Sequence, residues 1–104
     1  MFRKYVFYAI LVISSIVARA DGDGYRRGMT PYRDSGGDSG IVAYEYGDNW
    51  IRIGFRRGGT FDYHATVIGY THLDNMKALA DGGEGLNRYI NQHPDVKRGA
   101  ARVD

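Results

Sequence analysis

Residues 50–64 read Trp50-Ile51-Arg52-Ile53-Gly54-Phe55-Arg56-Arg57-Gly58-Gly59-Thr60-Phe61-Asp62-Tyr63-His64. The first six alternate, with Ile51, Ile53 and Phe55 on one side and Trp50, Arg52 and Gly54 on the other. A period of two over this length predicts a half-buried strand. Arg56-Arg57-Gly58-Gly59 supplies a turn, and residues 60–64 follow as a further strand with Phe61 and Tyr63 on its inner face. Upstream, residues 41–46 are rich in β-branched and aromatic side chains, and Gly47-Asp48-Asn49 carries turn chemistry. Three strands joined by two short turns predict an antiparallel meander.

After His64 the period changes. Thr71-x-x-Asp74 has the form of a capping-box variant, which predicts a helix over about 72–80 with Leu73, Met76 and Ala80 as its apolar stripe. Asp81-Gly82-Gly83-Glu84 interrupts it. Leu86, Tyr89, Ile90 and His93 then recur at i, i+3, i+4 and i+7, the face of a second helix that Pro94 stops. The expectation is an α+β fold, a three-stranded antiparallel β-meander packed against two short C-terminal helices, with the domain at 39–96. Residues 21–38 are rich in Gly, Asp and Arg, contain Pro31 and show almost no apolar period. Composition of that kind predicts a flexible arm. Residues 97–104 read as a disordered tail. A three-stranded sheet also leaves two open edges, which would allow an edge-strand dimer.

The N-terminus sets the expected location. Met1-Phe2-Arg3-Lys4 is basic, Val6 to Val17 is apolar apart from Ser14 and Ser15, and Ala18-Arg19-Ala20 has an A-x-A form. That is the pattern of a secretory signal peptide over 1–20, with a mature start at Asp21 and a periplasmic or secreted product. The apolar run is shorter than the roughly 20 residues of a membrane span, so no transmembrane span is expected once the signal is cleaved. An uncleaved signal-anchor is the alternative. The whole chain carries 14 Lys+Arg and 12 Asp+Glu. Arg3, Lys4 and Arg19 leave with the signal, so the mature balance is 11 against 12, or −1. A net basic field, which supplies much of the affinity of nucleic-acid binders, is therefore missing from the mature domain as a whole. The chain has no cysteine, which excludes disulfides, thiol catalysis and thiolate metal sites. The whole chain has nine Tyr, four Phe and one Trp, and those beyond residue 20 must supply the core instead.

Several short motifs occur in a recognisable order. Tyr46 ends a strand; Ile51-Arg52-Ile53-Gly54-Phe55 with Gly58-Gly59 follows; then come Phe61-Asp62-Tyr63 and Gly83-Glu84-Gly85-Leu86-Asn87-Arg88-Tyr89-Ile90. In that order they resemble the KTSC domain, a small module named after the C-terminus of some lysyl-tRNA synthetases and also found alone in short bacterial proteins. The family pattern has Tyr where Phe61 stands, Val-Pro where Val67-Ile68 stands, and Ser where Gly83 stands. The resemblance runs from about Ser39 to His93. It implies the α+β fold, and it raises RNA binding, which has been suggested for the family, as an alternative function.

Trp50, Arg52, Arg56, Arg57, Tyr63 and Asn87 form the expected partner-contact set. Trp50 and Arg52 share the outward side of their strand, and Arg56 and Arg57 adjoin it at the turn. Such a cluster suits a phosphate, an acidic glycan or an acidic protein surface, and equally a solubilising hairpin. Phe61, Tyr63 and Trp50 fit either a stacking platform or core packing. Asn87 is expected to make a structural hydrogen bond between helix and sheet. Gly82, Gly83 and Gly85 fit a helix–helix turn better than an anion site.

No catalytic set is expected. His64, His72 and His93 lack metal spacing, and Asp21-Gly22-Asp23-Gly24 lacks the later ligands of a calcium loop. Ser35 and Ser39 lack a nucleophile elbow, and Glu45, Asp48 and Asp62 are expected to be exposed. Hence no metal and no cofactor is expected. The leading expectation is a non-enzymatic binding module that contacts a protein or an envelope polymer, with nucleic acid as the alternative partner. A small hydrolase would need a cluster of His and carboxylate groups within hydrogen-bond reach.

Overall fold

The alternation of residues 50–55 builds the central strand of a five-stranded antiparallel sheet. The computed structural model describes residues 28–37 and 39–104. The chain divides into the units Met1–Thr30 and Pro31–Asp104, and residues 1–27, where the signal peptide and the start of the arm are expected, fall outside the described residues. The strands are β1 (Thr30–Pro31), β2 (Ile41–Tyr46), β3 (Trp50–Phe55), β4 (Gly59–His64) and β5 (Ala101–Arg102), in the spatial order β1-β2-β3-β4-β5. Four helices are described: α1 (Ala65–Ile68), α2 (Tyr70–Gly82), α3 (Leu86–Gln92) and α4 (Pro94–Arg98). The α+β class and the β2-β3-β4 meander are as expected; the other two strands and two helices are additions. None of the described helices is long and apolar enough to cross a membrane.

Register decides which residues meet. Ile51 lies opposite Tyr46 and Tyr63, and Ile53 opposite Tyr44 and Phe61. Since side chains alternate across a strand, these share one face. Ile51 and Ile53 are fully buried there with Leu73, Met76 and Ala80 of α2, Leu86 and Ile90 of α3, and Val96 of α4. Removing an Ile or Leu of this size from water contributes roughly 1.5–3 kcal/mol, the main source of stability in a small domain without disulfides. On the opposite face Arg52 sits between Glu45 and Asp62. Asp62 is buried, contrary to expectation, because the arginine beside it supplies its solvation. The β3–β4 turn needs its glycines: Gly58 and Gly59 take φ of 106° and 100°, which a Cβ would oppose.

Helix α2 begins at Tyr70 after a Gly69 cap and has no side-chain cap bond, so the expected capping box does not form. Its apolar stripe does form. Pro94 ends α3 as expected, but it also opens α4, where a missing N–H costs nothing.

Both predicted loose ends are corrected where they are described. Tyr32 is buried; its N–H donates to the Val42 carbonyl at 3.0 Å, and its hydroxyl accepts from the Leu86 N–H at 3.3 Å. Arg33 donates to the carbonyls of Asp81 and Gly82, at 2.9 and 2.7 Å, at the end of α2. One buried aromatic and these bonds order a stretch whose average composition is polar. At the other end, Lys97 and Arg98 complete α4, and Ala101 and Arg102 pair with Asp62 and Phe61. Asp104 then accepts the Thr60 N–H at 3.1 Å. β1 and β5 thus occupy the two edges that the three-stranded expectation left open for a dimer.

Three buried tyrosines tie stability to alkaline pH. Burial pushes the Tyr63 phenol up to about 12. Burial, followed by the hydrogen bond to Asp81, raises Tyr44, and burial raises Tyr32. In the unfolded chain these phenols ionise near 10.0. Their contribution is therefore complete below about pH 10 and is lost as pH rises above it, for Tyr63 through about 12. Urea midpoints should be level up to about pH 10 and fall steeply by about pH 12, with phenolate absorbance rising together with loss of circular dichroism. A midpoint that stays constant across this range would contradict the assignment.

Candidate functional site

The β3–β4 turn and the first turn of α3 meet at an open cleft of about 380 Å³, lined by Ser39, Gly40, Phe55, Arg56, Arg57 and Asn87. Its walls are tied together by backbone. The Arg56 N–H donates to the Gly40 carbonyl at 2.7 Å, and the Ser39 hydroxyl accepts the Ile41 N–H at 3.1 Å. Phe55 contributes an apolar floor, edge-on to Phe61 at 6.1 Å between ring centres. Arg56 and Arg57 are exposed, and neither guanidinium is paired with a carboxylate among the described residues. Asn87 is half-buried, and its amide makes no bond to a described residue, so the expected structural hydrogen bond does not form. Two cationic forks and a free amide around one opening have the chemistry to hold a carboxylate or a phosphate.

The structure thus brings together Arg56, Arg57 and Asn87 of the predicted set. It separates the others. Arg52 donates from Nε and Nη2 to the two oxygens of Asp62 at 2.6 and 3.0 Å, and from Nη1 to Glu45 at 3.4 Å. Donating to Asp62 raises the Arg52 guanidinium above its ordinary value. The two carboxylates take three of its five N–H donors and more than balance its charge, so Arg52 attracts an external anion poorly. Trp50 packs against the β2–β3 turn, where a Cβ on Gly47 would run into its indole, and Arg52 lies 5.6 Å from its ring centre. Tyr63 is 2% exposed, so its ring belongs to the core and not to a contact surface. The hydrophobic side of the alternation claims it.

A second constellation was not legible as a motif. His72 Nδ1 lies 2.7 Å from the Tyr89 hydroxyl, and His72 Nε2 lies 3.1 Å from Asp95 Oδ2. Asn75 Nδ2 donates to the same hydroxyl at 3.1 Å. His93 stacks on the Tyr89 ring at 4.1 Å and bonds through Nδ1 to the Tyr89 carbonyl at 2.7 Å. Desolvation raises the Asp95 carboxyl, but hydrogen bonds from His72 and from the backbone outweigh it and hold the group below its ordinary value. The available signals were i, i+3 spacing of His72 with Asn75 and i, i+4 spacing of Tyr89 with His93, both common on structural helices. No group of three metal-ligating side chains occurs among the described residues.

No family model matches the chain, and no curated protein sequence or solved structure matches it either.

The contrast among the arginines is measurable. Arg52→Ala leaves Asp62, whose side chain is 11% exposed, without its partner. The expected loss is about 2 kcal/mol of unfolding free energy in urea, below the value for a fully buried pair because Arg52 is partly solvated. Arg56→Ala should lie within about 0.5 kcal/mol of the parent protein. Equal losses at the two positions would remove the distinction drawn between them.

Proposed function

We propose that the chain is a small exported binding module with a KTSC-like domain, and that its cleft holds an acidic group of a protein or an envelope polymer. The observation that carries this reading is the pairing state of its arginines. Arg33 is spent on the end of α2, Arg52 on Asp62 and Glu45, and Arg102 on Asp104 at 3.4 Å. Arg56 and Arg57, like Arg88 and Arg98, meet no carboxylate among the described residues, and these two stand side by side at a cleft that also presents the Asn87 amide. Adjacent cations repel, and a bound anion relieves that repulsion while the planar forks fix its orientation. Export is supported by the basic start, apolar run and A-x-A form of residues 1–20. The KTSC likeness is supported by the order of the motifs from Tyr46 to Ile90. Against RNA stands the mature charge of −1, since two local arginines release few counterions.

The test is a titration of the folded protein with polyglutamate, inorganic phosphate and a short RNA, followed by amide chemical shifts. Polyglutamate should move Ser39, Gly40, Arg56, Arg57 and Asn87 together. Arg56→Glu with Arg57→Glu should weaken it at least about tenfold, or about 1.4 kcal/mol, without changing the urea midpoint. Tighter binding of RNA at matched charge, or shifts confined to another surface, would overturn the reading.

A further inference from the structure

The Asp95–His72–Tyr89 constellation goes beyond binding at the cleft. Its polarity can be assigned from its ends inward. Asp95 is ionised, because its hydrogen bonds hold it low, so its Oδ2 only accepts. In the neutral imidazole, the form that can act as a base, His72 then carries its proton on Nε2 and Nδ1 is a lone-pair acceptor. The Tyr89 hydroxyl, 2.7 Å away, donates to that lone pair. Asn75 donates to the Tyr89 oxygen from another side at 3.1 Å, where it supports negative charge developing on that oxygen. The phenol is thus bonded to a base, and the base is oriented by a carboxylate. This is the order of parts that activates a hydroxyl nucleophile.

The surroundings permit attack. The His72 side chain is 21% exposed and that of Asp95 60%, so the relay lies at the surface. Tyr89 is half-buried, with His93 stacked on one face of its ring and its hydroxyl between His72 and Asn75. A buried structural pin would close all three groups off from solvent.

We propose that Tyr89 is a nucleophilic tyrosine that accepts acyl groups from activated carboxylic esters. Its Oη attacks the ester carbonyl carbon, and its proton passes to His72 Nδ1. The tetrahedral intermediate collapses with cleavage of the bond between the acyl carbon and the leaving oxygen. The leaving oxygen takes the proton from His72, which regenerates the base and leaves an O-acyl-tyrosine. Water then attacks that ester with His72 as base, releasing the carboxylic acid and restoring the phenol. No electrons are transferred to or from an outside reagent.

The full chain would be treated with p-nitrophenyl acetate, and acetylated tyrosines would be located and timed by peptide mass spectrometry. Tyr70 is the internal reference, since it is 58% exposed and lies outside the relay. Tyr89 should be acetylated about tenfold faster or more than Tyr70, despite its lower exposure. His72→Gln should bring the Tyr89 rate down to that of Tyr70 and leave Tyr70 unchanged, while Tyr63, buried in the core, stays unmodified as long as the fold survives. Asn75→Ala, which keeps the base, should slow Tyr89 by a smaller factor. Acetylation of Tyr89 no faster than Tyr70, or at an equal rate with and without His72, would overturn the proposal. Neither result bears on the arginine cleft, whose variants are read by titration.

Discussion

Everything in the described fold follows from the need to cover Ile51 and Ile53. They stand at the centre of the middle strand, fully buried, and no disulfide or metal cluster among the described residues substitutes for the cover they require. Leu73, Met76 and Ala80 of α2 supply it. Once that face is committed, the period of the strand turns Arg52 to the other side, opposite Glu45 and Asp62. The same commitment fixes where the β3–β4 turn emerges, and so where Arg56 and Arg57 are presented. A slip of one residue in register would bury Arg52 and expose both isoleucines.

Much of this was legible because it rests on periodicity. The alternation at 50–55, the inner placement of Phe61 and Tyr63, the stripe on α2 and the stop at Pro94 all express local patterns repeated over several residues. The parts that were not legible depend on single residues acting over long separations. Tyr32 anchors a polar stretch to the first N–H of α3, 54 positions away. β5 forms because the edge of β4 offers unpaired groups, which no pattern within residues 97–104 reveals. Arg52 and Arg56 look alike in sequence; only cross-strand register shows that one faces two carboxylates and the other none.

Charge is therefore a weak guide to this chain until pairing is known. Of the arginines described, Arg33, Arg52 and Arg102 each meet an acceptor within the fold. Their positive charge is spent on helix ends and sheet faces. A formal balance near zero conceals a local excess at the β3–β4 turn, and under the proposed function it is this local excess that would meet a partner at short range, where salt screens least. Asn87 adds a neutral amide to the two guanidinium forks.

Helix α3 connects the cleft with the Tyr89 relay. Asn87 and Tyr89 are two residues apart, which at 3.6 residues per turn sets them on opposite sides of the helix. Leu86 and Ile90 lie between them and face the core. The helix is held at its start by the Leu86 N–H to the Tyr32 hydroxyl, and at its end by His93 bonding back to the Tyr89 carbonyl. Two turns fixed at both ends cannot rotate to favour one side without withdrawing Leu86 and Ile90 from the core, at a cost of several kcal/mol. The two surfaces are thus positioned by one rigid element and remain chemically independent: an anion in the cleft leaves the relay geometry intact, and a change at Tyr89 leaves Asn87 facing the arginines.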